Sequence, residues 1–303
     1  MRTLALDARE TAFFREQLTQ IQAEVYRETY AELKALKILF ADTSISDAVD
    51  NYEWRKYSEV GSAKIVSNYA TDFPRVDIYG SSEGTKIRSL GTSYGYSVQE
   101  IRAAARNGIA LESERARVAR AAIEKKIDDI LWFGDATHGL LGFLNFPGMS
   151  EYAIPAGASA SRAWTSKTPD EILRDVRYLR YAVRSATGEA ESPNTLLLPP
   201  LAYEHIAGTR MSTNSDTTIL TFLRGNIPEI TMIDTLDSLG NFEGSSRVIM
   251  FDRNRSKVRA ALPLPFEQFE TQVEGMAYVV PCHARCGGII YPFPMSAVYG
   301  TGI

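Results

Sequence analysis

The fold of this chain is decided by the stretch SVQEIRAAARNGIALESERARVARAAIEKKIDDILWFGD, residues 97–135. It opens with a capping box, in which the Ser97 hydroxyl and the Glu100 carboxylate satisfy amides that the first turn of a helix leaves without partners. Apolar residues then recur at helical spacing until Gly134 ends the pattern. The sequence therefore predicts a helix over 98–133, roughly 50–55 Å long at 1.5 Å per residue.

A helix of this length usually acts as a spine to which other elements attach. Gly108 lies inside it and costs about 1 kcal/mol relative to alanine, so we expect a kink there. A glycine-rich turn region follows over 134–145. Residues 155–162, which are rich in Ala, Ser and Gly, are typical of a linker.

Residues 51–96, which precede the spine, predict an extended loop. Residues 76–79 and 87–90 alternate with period two around residues 80–84, a pattern typical of a hairpin with a five-residue connection. Aromatic residues are scattered here among polar ones, so the ribbon cannot bury much against itself. Because Tyr and Trp are enriched at the cores of interfaces, we expect contacts with a neighbouring molecule. The candidate aromatic contacts are Trp54, Tyr57, Tyr69, Phe73 and Tyr79.

The N-terminal part of the chain predicts a helical arm over 1–50. Apolar residues recur at helical spacing from 6 to 40, and acidic and basic residues balance on the other face. A helix of this kind docks either on its own domain or on a neighbouring molecule, and the sequence does not choose between the two.

The second half of the chain predicts an α/β domain over 166–265. Residues 168–171 form another capping box with proline at the first helical position, so we expect a helix to about Thr187. Strands are predicted over 195–198, 230–233 and 247–251, and short helices over 201–207 and 217–224. Residues 266–303, which are rich in strand and turn patterns, are assigned to a second domain together with 97–165, which makes the fold class α+β.

Composition and charge restrict the class of protein. The chain has 303 residues, 45% hydrophobic and 23% charged, which is typical of a globular protein that buries its own core. Its net charge of −4 argues against a broad basic face that binds nucleic acid. No signal peptide or membrane span is predicted, and two cysteines suggest synthesis in a reducing cytoplasm.

One motif matches an enzyme. Residues 91–95, Gly-Thr-Ser-Tyr-Gly, fit the nucleophile elbow of serine hydrolases, with Ser93 as the nucleophile. In a true elbow the helix begins at the serine, whereas here the capping box places the helix start at Ser97. His205 or His283 as a base, with Asp234 or Asp252 to orient it, completes this remote alternative. Glycines that permit a tight strand-to-helix connection explain the motif better.

The remaining chemical signals are weak, and we predict no catalytic, cofactor-binding or metal-binding residues. Cys282 and Cys286 flank His283, but in a strand their sulfurs would lie about 13 Å apart, too far for one zinc ion. A short basic cluster over 253–259 is typical of a loop with scattered charge. Phosphate-loop, dinucleotide-binding and zinc-protease motifs are not found in the sequence.

A family resemblance is carried by residues 94–145. A Gly- and Tyr-containing strand precedes the spine, whose end includes AAIE (121–124) and WFGD (132–135), and GLLGFLN (139–145) follows. This region resembles the spine-helix region of major capsid proteins of the Hong Kong 97 type, and encapsulin shell proteins share a similar pattern. Residues 278–292 resemble the tail of a phage capsid subfamily. The order of parts also matches: N-terminal arm, extended hairpin loop, spine helix, axial domain and a late return to the peripheral domain.

The resemblance implies a structural function. The chain would assemble as pentamers and hexamers into an icosahedral shell that encloses a phage DNA genome without sequence-specific binding, with scaffold, portal or decoration proteins as further partners. It would be made in the bacterial cytoplasm and reside in the virion capsid, without contact with a membrane. An encapsulin-like nanocompartment shell is the first alternative. Some family members join loop lysines to asparagines, so Lys64 and Lys86 are further candidate contacts between subunits.

Overall fold

The computed structural model describes residues 33–65, 74–107, 111–242 and 244–303. The helix predicted over 6–40 therefore lies mostly outside the described residues. Its described end is a short helix α1, Ala35–Ile38, followed by strand β1, Phe40–Asp42. The predicted helix end at Phe40 is wrong, because β1 pairs in parallel with a distant strand, β9 (Arg259–Ala261).

The spine begins and ends where the sequence predicts. Its described parts are α2, Val98–Asn107, and α3, Leu111–Phe133, and the kink expected at Gly108 falls outside the described residues. The capping box is confirmed: the Ser97 backbone N–H donates to Glu100 Oε2 at 3.0 Å, and the Glu100 N–H donates to Ser97 Oγ at 3.1 Å.

The turn after the spine depends on glycine. Gly134 has φ +70°, a left-handed conformation that favours glycine, and its N–H donates to the Ile130 carbonyl at 2.8 Å. A Cβ at Gly134 would overlap the Leu140 carbonyl oxygen. The Asn145 side chain closes the turn by donating to the Phe133 carbonyl at 2.6 Å.

The extended hairpin is present, but its strands and turn differ from the prediction. β2, Asn51–Val60, pairs antiparallel with β3, Asp77–Lys86, along their whole length. Residues 80–84, predicted to form the turn, therefore lie inside β3. The Tyr57 ring lies over Gly80, 3.4 Å from the position that a Cβ would take. The strand predicted over 87–90 belongs to a different sheet.

That sheet flanks the spine. β4, Arg88–Ser97, pairs antiparallel with β12, Ala277–Cys286, and the opposite edge of β12 pairs with β10, Leu264–Gln268, and β11, Gln272–Glu274. One face of this sheet packs on α3, where Ile123 and Ile127 meet Val280 and Ala284 in one buried cluster.

A five-stranded sheet lies in the second half of the chain, with strand order β5-β14-β8-β6-β7. Its strands are β5 Ser150–Ala153, β6 Thr195–Leu198, β7 Met232–Thr235, β8 Arg247–Phe251 and β14 Ala297–Thr301. Its helices are α4 Pro169–Ala186, α5 Pro200–Gly208 and α6 Ile219–Asn226. The second predicted capping box is confirmed at the start of α4, between Thr168 and Glu171.

The two faces of this sheet bury different cores. Leu196 and Val248 pack with α4, α5 and α6, whereas their neighbours Leu197 and Ile249 pack with the spine. This alternation follows from the period of two along a strand. The sheet is therefore a layer between the spine and the three helices.

Strand pairing crosses the predicted domain division. β5 and β14, which lie in the segments assigned to the peripheral domain (97–165 and 266–303), are members of the sheet that the axial segment 166–265 supplies. Conversely, β9 pairs with β1 and with β13, Ile289–Ile290, outside that sheet. The sequence could not indicate this because the pairing joins strands that are far apart along the chain.

Short 3-10 helices lie at Trp164–Ser166, Asp237–Leu239 and Pro294–Ser296.

Candidate assembly surface

The base of the hairpin is held by a cation on β12. Arg285 donates to the Val49 carbonyl at 3.1 Å, to the Asp50 carboxylate at 2.5 Å and to the Asp47 carbonyl. The Arg285 side chain is only 12% exposed, and hydrogen bonds to charged donors of this kind are stronger than neutral ones. The segment that leads into β2 is therefore fixed to the body of the molecule.

Two further contacts hold the first half of the ribbon. Lys56 Nζ donates to the Pro292 carbonyl at 3.0 Å and lies 5.3 Å from the centre of the Phe293 ring. On the other strand, the buried Thr85 hydroxyl donates to the Gly287 carbonyl at 2.6 Å. Together with Arg285 these residues form a three-point attachment, which we call the hairpin clamp. The sequence does not predict this clamp, because no local pattern marks contacts between segments so far apart.

Trp54, a predicted contact with a neighbouring subunit, packs in part against its own subunit. It is half-buried together with Tyr52, against a small core of Ile45, Ile87, Ala261 and Ile290. The reason is the alternation of β2, which turns Tyr52, Trp54 and Lys56 towards the body and leaves the residues between them exposed. Trp54 therefore packs against its own subunit, and its contact with a neighbouring subunit stays a prediction.

The outer part of the ribbon is exposed on both faces. Tyr57 and Ile78 lie on one face and Val60 and Tyr79 on the other, as the strand register requires. Each of these side chains is more than half exposed, and so are Ile65 and Val76 beyond the paired strands. We call these six residues the hairpin tip.

Such a tip is not explained by the stability of one molecule. An isolated two-stranded ribbon is marginally stable in water, and apolar side chains concentrated on an exposed projection are typical of an interaction surface. Tyr57 and Tyr79 were predicted contacts and lie in the tip. Lys64, also exposed, lies beside it. Tyr69 and Phe73 lie outside the described residues.

Lys86 is exposed, but it does not project from the ribbon. It lies at the base, opposite Asn51, and its side chain runs 3.6 Å from the position that a Cβ on Gly139 would take. It therefore covers the glycine turn that follows the spine. This position is at the end of the ribbon opposite to Lys64.

The start of α1 is anchored to the body by two neighbouring residues. Lys34 Nζ is 3.2 Å from Asp234 Oδ1 and donates to the Thr235 carbonyl at 2.7 Å, and the Ala35 N–H donates to Asp128 Oδ1 on the spine at 2.8 Å. Burial raises the pKa of the Asp128 carboxyl, and the neighbouring carboxylate of Asp129 adds to that increase. Lys34 and Ala35 are therefore held by β7 and by the spine.

The surroundings of Ser93 do not form a nucleophile elbow. Ser93 lies inside β4, which continues as a strand to Ser97. His283 lies on the same face of the sheet, diagonally displaced by the register, and its ring stacks on Phe269. His205 and the two candidate acids lie on other elements, and Asp252 is occupied by Asn194 and Lys257. The hydrolase alternative therefore lacks its geometry.

The other chemical signals are structural. Cys282 and Cys286 both point into the core, and burial raises the pKa of the Cys286 thiol to about 11. In the basic cluster, Arg253 donates to the Ile38 carbonyl at 2.7 Å, and Arg259 donates to Asp42 at 2.8 Å. Within the described ranges no group of three or more potential metal ligands is found, and no helix is long and apolar enough to span a membrane.

Comparison with solved structures identifies the fold. No curated protein is significantly similar to this chain in sequence. The capsid of Myoviridae phage XM1 has a TM-score of 0.81 at 18% identity, over 95% of this chain and 98% of that chain. A chain from Gordonia phage Cozz has a TM-score of 0.67 at 12% identity, over 99% and 96%. A virus-like particle from Pyrococcus furiosus has a TM-score of 0.53 at 15% identity, over 87% and 90%.

At these identities the likeness shows the fold alone, which is the predicted fold of the Hong Kong 97 type. A family model described as major capsid protein matches residues 61–303, which include the returning strand of the hairpin, the spine and all five strands of the larger sheet. The match favours the capsid prediction over the nanocompartment and hydrolase alternatives, and it describes a structural protein and not an enzyme. This chain belongs to the major capsid protein family.

Proposed function

We propose that this protein forms pentamers and hexamers that close an icosahedral shell around a phage DNA genome. The protein is made in the host cytoplasm and resides in the virion capsid. Membership of the major capsid protein family supports the shell, and the net charge of −4 suits a container that encloses DNA without gripping it. Scaffold, portal and decoration proteins are further proposed partners.

The hairpin tip is the observation that carries this proposal. It presents six large apolar side chains on a projection that the clamp holds at a fixed position relative to the body. A neighbouring copy that covers the tip would remove this surface from water at about 25 cal/mol per Å² of apolar area. Burial of the tip therefore stabilises an assembly of subunits, whereas in a single molecule these side chains stay exposed to water.

The layers of the fold suggest which parts take which places in the shell. We assign the five-stranded sheet and α4–α6 to the axial domain, which gathers around the symmetry axes. We assign the spine and the sheet of β4, β10, β11 and β12 to the peripheral domain. All seven predicted residues stay proposed contacts between subunits: Trp54, Tyr57, Lys64, Tyr69, Phe73, Tyr79 and Lys86. The first 32 residues of the predicted arm (1–50) are proposed to reach a neighbour or a scaffold.

The proposal is tested with a variant whose hairpin lacks the tip. Residues 57–80 are replaced by Asn-Gly, a two-residue turn that joins the directly paired Lys56 and Ser81. The clamp residues remain, so the subunit should fold and unfold cooperatively. We expect it to stay unassembled in sedimentation and negative-stain microscopy, while the unaltered chain forms uniform particles. Uniform particles from the shortened chain would refute the role of the tip.

A longer deletion would not give a clear answer. Ile87 is buried in the small core under the hairpin, and β4 begins at Arg88. A deletion that extends to residue 90 would therefore damage the folded subunit as well as the interface. Replacement of 57–80 avoids both segments.

A further inference from the structure

The outer face of α4 carries arginines and tyrosines but no lysine. Arg174, Arg177, Arg180 and Arg184 recur at spacings of three and four residues, so their side chains follow one side of the helix. Among them Tyr178 is 44% exposed and Tyr181 is 65% exposed. Arginine and tyrosine are enriched where proteins bind proteins, whereas lysine is depleted there.

The C-terminal half of this row lines an open groove of about 450 Å³, which we call the arginine groove. Its side chains include Arg177, Arg180, Tyr181 and Arg184. Arg180 is paired with Glu229 at 2.7 Å, whereas Arg184 and the exposed Glu189 are 3.5 Å apart. The Arg177 side chain forms no hydrogen bond or ion pair with the part of the chain that the structure describes. The groove thus has positive charge that its own subunit neutralises only in part.

A surface of opposite character lies on the peripheral domain. Residues 264–276, which we call the acidic ribbon, contain Glu267, Glu270 and Glu274, and no lysine or arginine occurs between Arg259 and Arg285. Phe269, Val273 and Met276 are 45%, 68% and 71% exposed on the same ribbon. β11 pairs with β12 alone within the described ranges, so its outer edge is open to a partner.

We propose that the arginine groove of one copy binds the acidic ribbon of a second copy. The spacings are similar: Arg177 and Arg184 lie roughly 10 Å apart along the helix axis, and Glu267 and Glu270, three residues apart on either side of the end of β10, are at most roughly 10 Å apart along the chain. Tyr181 meets Phe269 and Val273 in this contact, and the charged groups pair around them. In the described part of a single chain no hydrogen bond or ion pair joins the two surfaces.

The contact suits a closed assembly. It joins two different patches of identical molecules, and a heterologous contact of that kind closes into rings when its rotation permits. The absence of lysine from α4 and the apolar residues beside the three glutamates favour a protein partner over the phosphates of DNA. The proposal rests on the proposed assembly of this chain with itself.

The test is a reciprocal exchange of charge. Arg177→Glu with Arg184→Glu should leave a folded subunit, because both side chains are on the surface, but should reduce particle yield at least tenfold in sedimentation. Adding Glu267→Arg and Glu270→Arg to the same chain should restore assembly. The matched control is Arg210→Glu with Arg255→Glu, the same change of net charge on exposed arginines elsewhere.

Each outcome of this experiment either supports or overturns a stated part of the proposal. Full assembly of the first variant would overturn the contact, and failure of the reciprocal exchange to restore it would overturn the acidic ribbon as the partner. Normal particles with a lower DNA content would assign the groove to phosphate and also overturn the proposal. If the unaltered chain and the control form no particles, the proposed function fails first. If the unaltered chain and the control both form particles but the charge variants do not behave as expected, only this inference fails.

Discussion

Lys167 and Asp175 form a fully buried ion pair, with Lys167 Nζ 2.5 Å from Asp175 Oδ2. The same ammonium group donates to the Pro155 carbonyl at 2.8 Å, and Arg174 lies 3.3 Å from the other carboxylate oxygen. The pair therefore ties the segment that follows β5 to the inner side of α4. This contact fixes the helix that carries the arginine groove.

Removal of one partner of the Lys167–Asp175 ion pair should lower the free energy of unfolding of the subunit. In Lys167→Met the methionine fills a similar volume, but the Asp175 carboxylate stays buried with Arg174 as its nearest charge. We expect a loss of about 3–5 kcal/mol in the free energy of unfolding, measured by urea titration of the subunit. The double variant Lys167→Met with Asp175→Leu should recover most of that loss, since no buried charge remains. A double variant as unstable as the single one would show that packing and not charge is responsible.

The hairpin clamp predicts that a variant can still fold and yet assemble into irregular particles. Arg285→Gln removes the contacts with Asp47, Val49 and Asp50 at the base of the hairpin, and we expect a loss of about 1–3 kcal/mol in the free energy of unfolding. The hairpin tip stays intact but is held at a less defined angle. We therefore expect particles that vary in diameter under negative stain. Arg88→Gln is the matched control, because Arg88 on the paired strand makes one long hydrogen bond of 3.5 Å, to the His138 carbonyl.

Uniform particles of normal diameter from Arg285→Gln would contradict the role of the clamp in assembly. Combining the variant with Lys56→Met should broaden the diameters further, because the second attachment is then lost as well. The change in stability alone would not distinguish a structural role from a positioning role, and for that reason the diameter is the deciding measurement.

The spine could be predicted from sequence because its signals are local. The capping pair Ser97 and Glu100, the helical spacing and Gly134 all lie within one element. The hairpin could be predicted only as an extended segment, because its pairing joins Asn51–Val60 to Asp77–Lys86 across a long gap. Residues 80–84 in the returning strand are rich in glycine and serine, a composition typical of a turn. Only their pairing with β2 shows that they lie inside a strand.

The proposed assembly surface could be predicted from the sequence only in part, for the same reason. Aromatic content favoured Tyr57, Tyr79 and Trp54 alike, and only the structure shows that Trp54 packs against its own subunit near the base of the ribbon. Arg285 and Asp50 are 235 positions apart, and nothing in the residues near either one predicts their contact. Exposed aliphatic residues of the tip, such as Ile78, were missed because an isolated aliphatic residue in a strand is more often buried.

Point substitutions in the tip should affect assembly without affecting the subunit. Tyr57→Ser, Val60→Ser, Ile78→Ser and Tyr79→Ser replace exposed side chains, so together they should change the free energy of unfolding by no more than about 2 kcal/mol. Assembly should fall sharply, measured as particle yield against protein concentration. The internal control is Trp54→Ala, which should destabilise the subunit by about 2–4 kcal/mol because it removes a packed ring. Normal assembly of the fourfold variant would exclude the tip as a contact.

Asp128 predicts how stability depends on pH. Its carboxyl has a raised pKa in the folded protein, chiefly because of burial, so the folded state holds the proton more tightly than the unfolded state does. The carboxylate therefore costs stability above the folded-state pKa, and that cost disappears as the pH falls below the unfolded-state pKa. Asp128→Asn keeps an acceptor for the Ala35 N–H and removes the charge. We expect it to be more stable than the unaltered protein at pH 7 and equally stable near pH 3.5, by urea titration at both values. Asp128→Leu, which loses the acceptor, should be less stable at both, and a gain for Asp128→Asn that persists at low pH would show that the charge is not the cause.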